Sequence, residues 1–282
     1  MIDIITDSTC DIPGPLLNRY RISIIPHFII WNNQQYRDRI DLQPDEFYSR
    51  LGREKARPTS SQAGVTDFQK AYEQSIQRGA TEIIVLTVSS AMSGAFQIAR
   101  KAAELVRVPV HAVDGKSPTM SLGWQVLFAA RAREAGASAG EILRGLDELR
   151  RRLVQFVAMD TLEYLQKGGR IGDAVKWMGT LLQVKPLVSI NHETGRVEPV
   201  GLARTGKSLV DMMYEKFFAA MKPGSKMHIA VMHGNAPEKA CELAERIRAD
   251  FNPAELLINI TGPVLGINTG PGALALCGYT EP

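Results

Sequence analysis

The chain is poor in the residues that staple small folds. Its 282 residues hold three cysteines, Cys10, Cys241 and Cys277, which fit neither a zinc-ligand spacing nor a paired disulfide framework. A reducing compartment, the cytosol, is therefore expected, with no metal site. An excess of one charge is also missing: 33 basic residues face 30 acidic ones for a net charge of +3, which argues against a nucleic-acid partner. No apolar run is long enough to cross a bilayer, so stable membrane insertion is not expected. Where a secretory leader would need a basic start and an apolar stretch, Asp3, Asp7 and Asp11 stand instead.

What is present is ordinary globular composition, 45% hydrophobic and 22% charged, in a chain long enough for two domains with separate cores. Apolar strand-like runs at Ile2 to Thr6, Ile22 to Ile30, Glu82 to Val88 and Val108 to Asp114 alternate with amphipathic stretches. That alternation predicts a parallel sheet covered by helices. Phe68, Ala71, Tyr72, Ser75 and Ile76 share one helical face, as do Ile142, Leu146, Leu149 and Leu153.

After Leu153 the order changes to a strand at Phe156 to Met159, a long helical stretch, and a hairpin of Lys185 to Ile190 with Arg196 to Val200. A helix from Ser208 to Met221, a strand from Lys226 to His233, a helix from Pro237 to Ala249 and a strand from Leu256 to Ile260 complete the pattern. The expected fold is α/β in two domains: residues 1–153 with a mainly parallel sheet, and a smaller α+β domain, 154–282, closing a crevice where a ligand would bind.

Several segments could carry chemistry. PTSSQ places Thr59, Ser60 and Ser61 just before a helix, as neutral donors for an anion or as a turn and cap. SSAMSG brings Ser93 and the Gly94 amide to the carboxyl end of a buried strand, where a helix opens and anions bind readily. Ser93 lacks the flanking glycines of a hydrolase elbow, so no nucleophile is expected. The run from Gly262 to Leu274 has four glycines and two prolines, suited either to tight turns or to close approach of a ligand, with Asn268 and Thr269 as polar contacts.

Arg170, after Gly168 and Gly169, fits an ordinary helix end with a favourable charge or a place near a ligand carboxylate. Asp7 reads as a turn or interdomain group. The segment Gly201 to Ser208 formally fits the Walker A pattern and raises the alternative of a P-loop-like nucleotide hydrolase using Lys207 and Ser208. However, its preceding strand is short, interrupted by Pro199, and half of an antiparallel hairpin rather than a buried parallel strand.

Taken in order, TDSTCDIP (Thr6 to Pro13), PTSSQ, SSAMSGAFQIA, LEYLQKGGRIG, the VKP of Val184 to Pro186, the ART of Ala203 to Thr205 and GPVLGINTGPGA resemble the DegV family across nearly the whole chain. The resemblance implies a lipid carrier that performs no catalysis, holding one long-chain fatty acid with its carboxylate between two domains. It also implies a fatty acid kinase as partner, which would supply ATP and Mg and form an acyl phosphate; this chain would need no cofactor. By position, Ser60 falls where the family has a carboxylate-binding hydroxyl, usually threonine. Ser93 with Gly94 matches its SG helix opening, and Arg204 its arginine near the head group. Asn268 stands where most members carry histidine, beside an unchanged Thr269, and Ala63 where proline is frequent. Asparagine can hydrogen-bond a carboxylate but cannot titrate as imidazole does.

Overall fold

The computed structural model describes residues 1–177, 184–222 and 224–281. Its first layer forms from the apolar runs expected to be strands. β1 (Ile2–Asp7) and β6 (Glu82–Thr87) are buried along almost their whole length and pair in parallel, as central strands of a covered parallel sheet should. β2 (Ser23–Ile25) and β7 (Val110–Asp114) flank them in the order β2-β1-β6-β7.

The run from Ile22 to Ile30 is not one strand. Pro26 and His27 interrupt it, and β3 (Phe28–Trp31) leaves to pair antiparallel with β4 (Gln34–Arg37) and β5 (Thr59–Ser61). At the break the His27 amide donates to Ser8 Oγ at 3.1 Å, so the backbone group freed from the ladder is satisfied by a side chain. Thr59, Ser60 and Ser61 thus lie in a strand rather than in a turn. Short helices α1 (Gly14–Arg19) and α2 (Pro44–Leu51) fill the intervening connections. α3 (Val65–Gln77) buries Phe68, Tyr72 and Ser75, in agreement with its predicted face, and packs beside α4 (Ala95–Ala103).

The centre of the molecule is α5 (Thr119–Glu134), whose residues from Thr119 to Leu127 are all buried. It contacts β1 and β6 on one side and the second sheet on the other. Trp124 Nε1 donates to the Cys277 carbonyl at 3.1 Å, closing the side-chain polar group inside this core. α6 (Ala139–Arg150) packs on α5 through Ile142, Leu146 and Leu149, and Ser138 and Glu141 form its capping box.

β8 (Val154–Ala158) starts the second sheet, whose order is β10-β9-β8-β13-β11-β12. β9 (Lys185–Ile190) and β10 (Val197–Ala203) form the expected hairpin, and β11 (Met227–His233) pairs in parallel with β12 (Glu255–Ile260). β13 (Leu274–Thr280) inserts antiparallel between β8 and β11. α8 (Gly206–Ala220) and α9 (Pro237–Phe251) cover one face of this sheet. The opposite face joins the core around α5, so that core draws residues from both sides of residue 153.

The long helical stretch expected after Met159 is instead the short α7 (Glu163–Gly168), ended by Gly169 at φ 71°, followed by a 3-10 turn over Gly172–Trp177. The rest of that stretch, 178–183, lies outside the described residues. α10 (Pro263–Thr269) is a helix inside the Gly/Pro-rich segment that suggested turns; Pro263 occupies its first turn, where no amide donor is lost.

A substitution in α5 tests the close approach of the first layer. Gly123→Ala would gain about 1 kcal/mol of helix propensity. Its Cβ, however, would lie 2.7 Å from the Cys10 carbonyl oxygen and 2.7 Å from Met120 Sδ. Overpacking of this kind costs about 1–3 kcal/mol, so a net loss of about 1 kcal/mol is expected. In urea unfolding this reads as a lower midpoint with unchanged slope.

Candidate functional site

The carboxyl ends of parallel strands are where α/β sheets leave room for a ligand, and here they face a second surface. Thr9 follows β1, Val88 and Ser93 follow β6, and Pro118 follows β7; all line one cavity. The opposing wall is the inner face of the second sheet. Along β8 the side chains alternate: Val154, Phe156 and Ala158 face α8, while Gln155 and Val157, with Met159 just beyond, face the cavity. Val188 and Ile190 of β9, Val197 of β10 and Ala275 of β13 extend this apolar wall, and α10 closes one side. About 960 Å³ of empty space lies within the cavity's outline, the open solvent at its mouth included.

Six of its polar groups form one rim, while Thr9, His27, Thr119, Gln155 and Thr261 line other parts of the cavity. Ser60, Ser61 and Ser93 line the rim, together with Arg170, Asn268 and Thr269. Thr59 is exposed and lines a neighbouring recess that shares Ser60, Arg170 and Asn268 with the cavity. Gly94 sits directly behind the rim: a Cβ there would approach Gln62 Nε2 to 3.2 Å. Gly94 precedes α4, and Ser93 Oγ accepts the Ala95 amide at 3.3 Å. The hydroxyl hydrogen of Ser93 therefore remains available to an acceptor beside the positive end of a helix. Arg170 is fixed through its guanidinium, which donates to the Met92 carbonyl at 3.1 Å and the Gly168 carbonyl at 2.6 Å.

Asn268 Nδ2 donates to the Val264 carbonyl at 3.0 Å, one turn back in its own helix, and Thr269 Oγ1 donates likewise to Leu265 at 3.3 Å. Asn268 Oδ1 is buried without a partner and presses on Gly168, where a Cβ would meet it at 2.1 Å. Only glycine permits this approach.

Arg204 does not reach the cavity. Val197 lines it at one end of β10, but Arg204 lies seven residues further on, roughly 20 Å along an extended chain, and is exposed beyond the strand's other end. The Walker-like segment also loses its phosphate geometry: β10 is an edge strand paired antiparallel with β9. Thr205 Oγ1 accepts the Ser208 amide at 3.1 Å as a helix cap, and Lys207 pairs with Asp211 at 2.9 Å on the surface. Nothing supports a nucleotide site there.

Two lining residues had no signal in the sequence. His27 is a single polar residue within an apolar run. Its Nδ1 accepts the Ala63 amide at 3.2 Å, which places the proton on Nε2, where it has no hydrogen-bond partner. Burial holds its pKa below the ordinary imidazole value although Asp7 stands 3.6 Å away. Asp7 itself is a structural carboxylate that accepts Thr9 Oγ1 at 2.6 Å and the Val88 amide at 2.7 Å, tying β1 to β6. The second such lining residue is Gln155, on the sheet wall.

Among the described residues, no cluster of His, Cys, Asp and Glu could hold a metal ion, and no helix is long and apolar enough to cross a membrane.

An apolar chamber open at one side and rimmed by neutral donors and Arg170, set between a parallel sheet and a mixed one, is the architecture of a ligand pocket. Residues 1–281 match the family described as "Uncharacterised protein, DegV family", and the chain belongs to it. Protein DegV of Bacillus subtilis (strain 168) is 30% identical over 278 residues, 98% of each chain. A solved structure described as fatty acid binding of a DegV family protein from Thermus thermophilus superposes with a TM-score of 0.93 at 31% identity, covering 99% of both chains. The structure of DegV, a fatty acid binding protein from Bacillus subtilis, gives a TM-score of 0.91 at 29% identity over 98% of both chains.

The wall behind α10 offers a test in pH. Asp38 is buried, and among the described residues neither carboxylate oxygen has a hydrogen-bond partner of good geometry; burial pushes its pKa up to about 7, against opposing pulls from Arg39 and from the nearby Ser8 hydroxyl and Val264 backbone. Below the unfolded value of 3.8 both states are protonated and nothing is lost. As pH rises from about 4 towards 7, the unfolded chain releases this proton while the folded state keeps it, so stability falls across that window and levels off above 7, where both states are ionised. Asp38→Asn should therefore be more stable than the wild type at pH 8, by up to about 4 kcal/mol, with the gap closing near pH 4. Denaturant titrations at the two pH values measure it.

Proposed function

We propose that this protein is a cytoplasmic carrier that binds one long-chain fatty acid in the cavity between its halves, 1–153 and 154–282, and has no catalytic group of its own. The observation that carries the reading is the division of the chamber into an apolar sheet wall and a rim of mostly uncharged donors. A sixteen-carbon tail would contribute roughly 12 kcal/mol before the costs of association, at about 0.8 kcal/mol per methylene. The tail thus dominates affinity, and the rim fixes orientation.

The carboxylate would lie against Ser60, Ser93 and the amides opening α4, with Ser61, Asn268, Thr269 and Arg170 around it and Thr59 in the adjoining recess. Neutral donors hold a carboxylate without cancelling its charge, which leaves an oxygen able to react. That suits presentation of the acyl group to a fatty acid kinase, which would bring ATP and Mg and form the acyl phosphate. Arg204, on the surface, would act in such an encounter rather than inside the chamber.

Native mass spectrometry of protein purified without delipidation, followed by denaturing extraction, should reveal one fatty acid per chain. An empty protein that also fails to take up added fatty acids would overturn the reading. Ser93→Ala should lower stability by no more than about 1 kcal/mol, through loss of its bond to the Ala95 amide, while weakening fatty acid binding by about 1–3 kcal/mol, because a desolvated carboxylate loses a donor. Unchanged occupancy and unchanged kinase-dependent phosphorylation would remove Ser93 from the site.

A further inference from the structure

Gln155 is 2% exposed, and among the described residues neither its Oε1 nor its Nε2 has a hydrogen-bond partner, yet it lines the chamber. It belongs to the cavity-facing set of β8, whose next member is Val157 and whose continuation beyond the strand is Met159. Its cross-strand neighbour on β13 is Cys277, whose thiol is at most a weak donor or acceptor. An orphaned amide inside a protein carries its full desolvation cost, whereas a leucine or methionine of similar volume would carry none.

From this geometry we infer, building on the fatty acid reading, that Gln155 is a second polar subsite on the tail wall and selects an acyl chain bearing a hydroxyl group partway along its length. A hydroxyl can accept from Nε2 and donate to Oε1 at once, which gives each of the two unpartnered amide atoms a hydrogen bond. A plain hydrocarbon chain leaves both unpartnered. The carboxylate is not the group that belongs here. The serines and Arg170 of the rim lie elsewhere, and Met159, where β8 hands over to the segment carrying Leu165 and Arg170, is about 13 Å along the strand from Gln155. The subsite thus falls where the chain, rather than the head, would pass.

The test is a competition series on delipidated wild-type protein with stearate and its mid-chain hydroxy isomers, repeated on Gln155→Leu and Gln155→Met. The wild type should bind one hydroxy isomer about tenfold more tightly than stearate, and both variants should lose or invert that preference while still binding stearate. If the wild type binds stearate as well as or better than every hydroxy isomer, a water molecule or nothing satisfies the amide; the inference falls and the carrier reading stands. If the variants keep the wild-type ranking, the preference arises elsewhere and the inference falls too. Should neither variant fold, the ranking of isomers by the wild type decides alone. Failure of all these acids to bind the wild type would remove the carrier reading and this subsite with it.

Discussion

One buried carboxylate holds the frame of the chamber. Asp11, 1% exposed, sits at φ 51°, a left-handed conformation that aspartate tolerates better than most residues. Its Oδ1 accepts Arg39 Nη2 at 2.5 Å and the Gly262 amide at 3.0 Å, and its Oδ2 accepts Thr119 Oγ1 at 2.7 Å. Its own carbonyl takes the Asn259 side-chain amide at 2.8 Å. Four segments far apart in sequence thus converge on one residue: the exit of β1, the connection after β4, the start of α5, and the passage from β12 into α10. A buried ion pair of this kind adds little net stability compared with apolar packing, but removing one partner leaves an uncompensated charge costing about 3–5 kcal/mol. It specifies an arrangement more than it strengthens one.

That arrangement explains why the chamber exists. α5 is pinned at its first residue and then buries apolar side chains against both sheets, which sets the two sheets a helix apart. Beyond its N-terminus no helix of the described residues fills the gap, and the cavity, lined there by Pro118 and Thr119, occupies that space. The contacts joining the two halves at the rim are of a different kind. Ser89 Oγ donates to the Gly195 carbonyl at 2.8 Å, and Arg170 to the Met92 carbonyl at 3.1 Å. The second of these is exposed, and hydrogen bonds in reach of water exchange readily with solvent. The base of the chamber is fixed by a desolvated network, its mouth by a few individual bonds.

Much of this frame was legible because burial on one side leaves a period. α3, α6 and α9 each have a buried stripe, and β1 and β6 read as apolar runs closed by turn residues. α5 left no stripe because both of its sides are covered: between Thr119 and Leu127 polar Ser121 and Gln125 are as buried as Leu122 and Trp124. β13 was missed for the same reason, with all its residues buried behind a stretch of glycine and proline. The site was legible only in part. Ser60, Ser93 and Asn268 stand beside turn chemistry that drew attention to them. His27 and Gln155 are lone polar residues in apolar runs, and only the fold shows which way they face. Arg204 illustrates the converse: a motif can be read correctly while its side chain ends a strand's length from the place assigned to it.

The departure at Asn268 bears on how the head group is held in the carrier reading. Its amide donor is already committed to the Val264 carbonyl, and its oxygen is wedged against Gly168. Turning the amide to offer a donor to the ligand would forfeit the helix bond and bring an NH2 group, larger by its hydrogens, against the Gly168 backbone. Asn268 therefore shapes the wall without spending a donor on the carboxylate. Recognition then falls to the hydroxyls of Ser60 and Ser93 and to the amides at the start of α4, none of which titrates near neutrality. His27, held neutral by burial, adds no charge either. A head group bound this way keeps its own negative charge over the pH range where a histidine site would gain or lose one, so binding should follow the ligand's ionisation rather than the protein's.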